Sequence, residues 1–305
     1  MGSGSYSQQS YDRYVRDNGV SANAADNFIN SSLSASVSAA SFNNKARKHN
    51  VEVQEAAKAI GVRESRETEE HPISTPIIIA LDVTGSMRTT PHRMLTEQFP
   101  KIMNALYDKG VDNPQILFMA IGDCYSDRCP IQVTQFESDA EKILPQLQEF
   151  VLEGGGGGNG GESYSLAYIV AGYHTECDAW YKRQQKGHLI TIGDEPIHPN
   201  VPGWALERYL GYERGATDIS TAEALEKALE QYNVDHIHID NGSYSYQTAT
   251  SSWRELLGEN HVHHCHSNDI CDIIVDIITK DKEKSPSLTS EARAEKVSQN
   301  FGIDV

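Results

Sequence analysis

Twelve consecutive residues constrain the fold more than any others in the chain: Pro76-Ile77-Ile78-Ile79-Ala80-Leu81-Asp82-Val83-Thr84-Gly85-Ser86-Met87. Five unbroken apolar residues are the mark of a parallel strand buried on both faces. The carboxylate and two hydroxyls that follow at every second position place oxygens where that strand opens into a turn. Gly85 lets the backbone curl, so that Asp82, Thr84 and Ser86 converge on a small hard cation such as Mg2+.

The pattern then repeats with variations. Gln115 to Ile121 reads as a second buried strand ending at Gly122-Asp123, and Ile131 to Phe136 alternates as an edge strand joined to it in a hairpin. His188 to Ile192 ends at Gly193-Asp194-Glu195-Pro196, an apolar run with an acid at its tip, and Val234 to Asp240 and His261 to His266 are the last two strands. Between them lie helical patterns. Thr90-Pro91 opens one carrying Leu95, Phe99, Ile102 and Leu106, with Pro100 placed to kink it; Ser138 with Glu141 and Ser220 with Glu223 read as capping boxes; Leu166 to Tyr173 and Asn268 to Ile277 are the others. Strands alternating with helices predict an α/β fold: a mostly parallel six-stranded sheet with one antiparallel edge strand and helices on both faces. Such sheets bind ligands beyond the carboxyl ends of their strands, where strand order reverses. Asp82 and Asp194 both belong there.

Residues 1–72 are rich in Ser, Asn, Ala and Gln, with short helical patches at Tyr11 to Val15 and Val51 to Ile60. They read as a low-complexity extension, disordered alone or ordered on a partner, and Arg63 to Glu70 as a solvated lead-in. The domain is expected over 73–280 and a charged tail over 281–305, within which Ser290 to Gln299 could form a small amphipathic helix. A formal net charge of −17 argues against nucleic acid and anionic lipid as partners. No apolar run reaches membrane-span length and no leader pattern opens the chain, so a cytoplasmic protein is expected. The five scattered cysteines fit a reducing compartment.

Asp82-Val83-Thr84-Gly85-Ser86 and Asp194 resemble the metal-ion-dependent adhesion site (MIDAS) of the von Willebrand factor type A (vWA) family, whose first signature is Asp-x-Ser-x-Ser and whose third is an Asp ending the fourth strand. The likeness spans about residues 73–280 and extends to stand-alone prokaryotic and phage vWA proteins. It implies a three-layer Rossmann-like fold, a bound Mg2+ (or Mn2+ or Ca2+), and protein partners recognised through that ion, a MoxR-type AAA+ ATPase among the kinds the family suggests. The family's second signature, a Thr before the third helix, is replaced here by Glu162, or by Asn159. A third carboxylate would hold the ion more tightly while weakening its pull on an acidic ligand. The expected metal set is therefore Asp82, Thr84, Ser86 and Asp194 with Glu162 or Asn159, in a binding module without catalysis.

Two other readings compete. Asp-Val-Thr-Gly also resembles the start of haloacid-dehalogenase-like phosphotransferases, with Asp82 as nucleophile and Mg2+ assisting. Yet Thr84 stands where a general acid belongs, and only Lys182 or Lys186 could clamp an anion. Alternatively the arm and tail join copies into a structural oligomer braced by metal. Gly154 to Gly161 lacks the Gly-Lys-Ser/Thr ending of a phosphate-binding loop. His261, His263, His264, Cys265 and His266 suggest zinc, but strand alternation divides them between two faces. His236 and His238 are expected as hydrogen-bonded core residues, Cys124 and Cys129 as inert thiols, and Asp123 as a neighbour of the metal shell or an ordinary turn residue.

Overall fold

A computed structural model describes residues 6–17, 62–87, 89–148, 150–151, 159–240 and 246–284. Val51 to Ile60, Gly154 to Gly158 and the C-terminal amphipathic segment lie outside the described residues. Six strands build the main sheet: β1 (Thr75–Asp82), β2 (Pro114–Ile121), β3 (Ile131–Val133), β4 (Gly187–Gly193), β5 (Tyr232–Ile239) and β6 (Val262–Cys265). Their spatial order is β3-β2-β1-β4-β5-β6, every pair being parallel except β2 with β3. This is the expected α/β architecture. The chain leaves β1 toward β2 and β3 on one side, then returns to β4 on the other, so strand order reverses between β1 and β4.

Alternation along β1 sorts the core into two layers. Ile77, Ile79 and Leu81 join the cluster containing Phe99, Ile102, Ile143, Ile274 and Ile278, whereas Ile78 and Ala80 join the one containing Leu166, Val170, Leu225 and Trp253. Thus α2 (Phe99–Asp108), α3 (Ala140–Gln148) and α6 (Ile270–Lys284) cover one face, and α4 (Ser165–Tyr173) and α5 (Thr221–Leu229) the other. Both faces are closed, as a sheet of continuous apolar strands requires.

Local chemistry explains where the elements begin and bend. The kink expected at Pro100 takes the form of a π-helical segment, Met94–Gln98, leading straight into α2. Proline has no N–H for the preceding turn and crowds its carbonyl, and a wider turn relieves both. Ser220 does cap α5, accepting from the Glu223 N–H at 3.1 Å. The Ser138 and Glu141 box does not form: Asp139 Oδ1 accepts from the Glu141 N–H at 2.9 Å, while the Ser138 hydroxyl donates to the Pro114 carbonyl at 2.9 Å. A shorter Asx cap one residue later frees Ser138 to tie the start of β2.

The described parts of the segment ahead of residue 73, residues 6–17 and 62–72, are more ordered than its composition suggests. Helix α1 (Gln8–Asp17) lies on the domain's own core, Tyr6 meeting Phe99 edge-on at 6.0 Å between centroids, with Tyr11 and Tyr14 packed alongside and Arg13 paired with Glu141. Arg63–Ser65, expected as solvated, forms a parallel strand with Thr175–Cys177. Arg66 then bridges Glu64, Glu176 (2.7 Å) and Asp178 (3.1 Å). Charge alternation suggested solvent, but the opposite charges of the neighbouring strand capture it. Among the described residues no helix is long and apolar enough to cross a membrane.

Candidate metal centre

The carboxyl ends of β1 and β4 meet at the switch point. Leu81 is in register with Ile192, so Asp82 and Asp194 emerge side by side. Asp82 is fully buried, and both of its oxygens are engaged. Oδ1 accepts from the Thr84 N–H at 2.8 Å and the Thr84 hydroxyl at 2.6 Å; Oδ2 accepts from the Tyr164 hydroxyl at 2.6 Å. The Ser86 hydroxyl donates to Asp194 Oδ1 at 2.7 Å and lies 3.2 Å from Thr84 Oγ1. Four of the five expected metal residues therefore stand in one contiguous run of oxygens.

Glu162 is also buried at the rim, 1% exposed, its backbone bridged to the segment after β4: its N–H donates to the Pro196 carbonyl at 2.9 Å and its carbonyl accepts from the His198 N–H at 3.1 Å. Its Oε2 has no hydrogen-bond partner among the described residues. Asn159, the other candidate, is exposed and donates to Asp123 Oδ2 at 2.7 Å. Burial, then the charge of Asp82, then those of Asp127, Asp123 and Glu195, push the Glu162 carboxyl up to about 11. Burial likewise raises Asp82, against the pull of its Thr84 and Tyr164 hydrogen bonds, to about 7. Packing this much like charge into a dry site favours protons or a cation.

The donor set fits a small divalent ion. Cis oxygens of a Mg2+ octahedron with bonds of about 2.1 Å stand about 3.0 Å apart. The Thr84 to Ser86 and Ser86 to Asp194 separations, 3.2 and 2.7 Å, bracket that edge. Because the two hydroxyls spend their protons on carboxylates, their lone pairs are available to a cation. Hydroxyls are essential to such a site, since no group of three or more His, Cys, Asp or Glu among the described residues is disposed to hold a metal unaided.

Two positions that carry no sequence signal of their own shape this centre. Tyr164, fully buried, supplies the hydroxyl on Asp82 Oδ2. Gly193 makes room for it: a Cβ there would stand 1.9 Å from the Tyr164 hydroxyl oxygen. Beside them Asp123 is a hub, accepting from the Tyr125 N–H, the Ser163 hydroxyl, Asn159 and His198 Nε2, the last at 3.2 Å. Burial pushes its carboxyl up, but the donors from His198, Tyr125 and Asn159 win and hold it below the usual range. Asp123 thus braces the loops around the centre.

The remaining candidates are structural. His261 Nδ1 and His263 Nε2 both meet Asp235, at 3.2 and 2.8 Å, whereas His264 lies toward Asp240. The five cysteines are buried as free thiols, and burial pushes that of Cys124 up to about 11. Lys182 pairs with Asp178, and Lys186 donates to the Leu229 carbonyl at 2.6 Å. Both precede β4, at the opposite end of the sheet from Asp194.

His236 stacks on Trp253 at 3.6 Å, and its Nδ1 is 3.0 Å from Thr191 Oγ1. Burial lowers the His238 pKa to about 4, with the charges of His264 and Arg254 adding and that of Asp240 opposing. Unfolded, the ring titrates near 6.5, so its contribution to stability is complete above that pH and drains away as pH falls toward 4, by about 1.4 kcal/mol per unit at most. Thermal melts between pH 7 and 5 should have a smaller acid slope in His238→Asn than in the parent. Identical slopes would mean that the ring is hydrated.

No family model matches the sequence, and no curated protein matches it. Among solved structures, the chain is similar to the vWF domain of the type V pili tip protein Mfa5 from Porphyromonas gingivalis, at 9% identity and TM-score 0.44 over 72% of this chain and 99% of that one. It is also similar to the pilus adhesin SpaC from Lactobacillus rhamnosus GG in its open conformation (10%, 0.42), covering 71% of this chain and 30% of SpaC. A third is proximal thread matrix protein 1 from the mussel byssus (14%, 0.43), covering 68% of this chain and 47% of that one. This chain thus spans less than half the length of the last two. The deciding feature is internal, namely the β3-β2-β1-β4-β5-β6 order with its single antiparallel edge and the two acids at the switch point. The domain has a vWA-like fold. Within this vWA-like fold, Tyr164 and Glu162 flank the centre from the segment that leads into α4.

Proposed function

We propose that the chain is a divalent-metal-dependent protein-binding module, acting as an adaptor or assembly subunit. Thr84, Ser86 and Asp194 would hold Mg2+, or Mn2+ or Ca2+, with Asp82 and Glu162 supplying the surrounding negative charge. The observation that carries this reading is the 2.7 Å bond between Ser86 and Asp194, which unites two segments more than 100 residues apart around a rim of oxygens. A bound ion would supply a Lewis-acidic position for an oxygen ligand of the partner. The chain's own residues set the terms, because the carboxylates of Asp82 and Asp194, joined by Glu162 once a cation displaces its proton, would temper that acidity.

The phosphotransferase reading draws little support from this geometry. A nucleophilic carboxylate needs an accessible oxygen, and Asp82 has both committed to Thr84 and Tyr164. Neither candidate lysine lies at the rim. The structural-oligomer reading loses one argument, since α1 packs on its own domain.

Calorimetric titration tests the proposal. With Mg2+ or Mn2+ added to metal-free protein, Ser86→Ala should bind about ten-fold more weakly than the parent, the loss of one neutral oxygen ligand. Ser86 is partly exposed, so the substitution leaves the core intact. Equal affinity in the two proteins, or binding in neither, would remove the metal from the account.

A further inference from the structure

Among the described residues only six large apolar side chains are exposed, and two of them, Tyr125 (51%) and Trp204 (44%), meet on the same rim. Their ring centroids are 6.1 Å apart, and Tyr125 also meets the His198 ring edge-on at 5.3 Å. The three come from the segments that follow the centre's strands: Tyr125 follows Asp123 at the tip of β2, and His198 and Trp204, the latter in the helix Gly203–Tyr209, follow Asp194 after β4. Another of the six, Tyr173, already has the Lys227 ammonium over its ring at 5.8 Å. Tyr125 and Trp204 have open surface and, among the described residues, no cation over their rings.

Carboxylates surround this shelf. Asp123 accepts from His198 Nε2 directly behind Tyr125. Asp218 accepts from the Gly203 N–H at 2.9 Å, beside Trp204, and its charge reaches the Tyr125 phenol. Glu195 shares the field of Asp123 and His198. Exposed aromatic faces attract cations through their quadrupole, and nearby carboxylates strengthen that attraction while disfavouring anions. A planar guanidinium suits the place better than an ammonium, because it can lie on a ring and direct N–H donors to carboxylates at its edge. The helix Gly203–Tyr209 already uses this chemistry, with the exposed Arg208 lying 5.2 Å over the Tyr209 ring.

We propose that the Tyr125–His198–Trp204 shelf is a docking site for an arginine side chain on a protein partner. This deepens the reading of the rim as a protein-binding surface and rests on it, but it does not need the metal. The partner would present a basic residue to the shelf and an oxygen ligand to the adjacent centre, a mixed-charge motif that a chain of net charge −17 would not select by long-range attraction alone.

The test uses the full chain and the fluorescein-labelled peptide Gly-Arg-Gly-Gly-Arg-Gly, with a twin in which citrulline, its uncharged isostere, replaces arginine. Binding is followed by anisotropy at physiological salt, in excess chelator and again in Mg2+. The arginine peptide should bind at least five-fold more tightly than its twin in both conditions. Trp204→Leu and Tyr125→Leu should each erase most of that difference, and Trp204→Phe should retain it. These side chains are half exposed, and the phenylalanine variant separates loss of the ring from loss of the fold. Equal binding of the twins, or leucine variants that bind like the parent, would overturn the proposal. Selective binding that persists in a protein showing no Mg2+ uptake by calorimetry would keep the shelf and refute the metal centre.

Discussion

Glutamine at position 162 should make the metal-free chain more stable at pH 7, by about 3 kcal/mol, and at the same time weaken its grip on divalent ions at least ten-fold. The sign follows from burial. The Glu162 carboxyl titrates near 4.5 when unfolded and is pushed up to about 11 in the fold, chiefly by desolvation and then by Asp82. A carboxyl raised in this way stabilises the folded state fully below its unfolded pKa, and that contribution is lost as pH rises toward the folded value. At pH 7 the unfolded chain has released the proton while the fold retains it. A neutral amide escapes this penalty, about 1.4 kcal/mol for each pH unit above 4.5. Urea melts of the parent and Glu162→Gln in excess chelator, from pH 5 to 8, should diverge with rising pH and draw together when Mg2+ is added to the parent. Parallel curves would mean that Glu162 is ionised and solvated, and would strike it from the centre.

The second large effect concerns a methyl group. Alanine at position 193 would place its Cβ 1.9 Å from the Tyr164 hydroxyl oxygen and 2.6 Å from the adjoining ring carbon. Neither side can retreat, because β4 and Tyr164 are both fully buried, so the ring must leave Asp82 Oδ2. Overpacking and the orphaned carboxylate together should cost about 3 kcal/mol or more. A double-mutant cycle separates the clash from a generic strand defect. Removing the ring in Tyr164→Ala should make Gly193→Ala nearly harmless, leaving a coupling energy of about 2 kcal/mol. If the two effects simply add in denaturant melts, Gly193 matters for its backbone and not for the space it leaves.

Most of the architecture was legible because it depends on periodicity. Unbroken apolar runs announced the parallel strands, the alternation over Ile131 to Phe136 announced an antiparallel edge of which only Ile131–Val133 forms the strand, and the Asp-x-Thr-x-Ser turn and the distant Asp194 pointed to the two strand ends that meet. What stayed hidden depends on packing in three dimensions. Tyr164 looks like any helix-flanking aromatic until Gly193, 29 positions away, leaves a hole for its hydroxyl. Ser138 and Asp139 are both good caps in isolation, and the choice between them was made by the Pro114 carbonyl. The polar residues before 73 gave no sign that Arg63–Ser65 would pair with Thr175–Cys177, because a strand of three residues has no period to detect. What separates Glu162 from Asn159 is burial, the one enclosed and the other exposed, which composition in a glycine-rich loop does not encode.

The main sheet ends in a strand of three residues, Ile131–Val133, on one side and one of four, Val262–Cys265, on the other. Margins this short give a second molecule too few backbone groups to stitch onto, so the fold is guarded against runaway fibre growth by strand addition. Any contact between copies would then run through side chains rather than through a shared sheet, and side-chain contacts can be made and unmade one at a time.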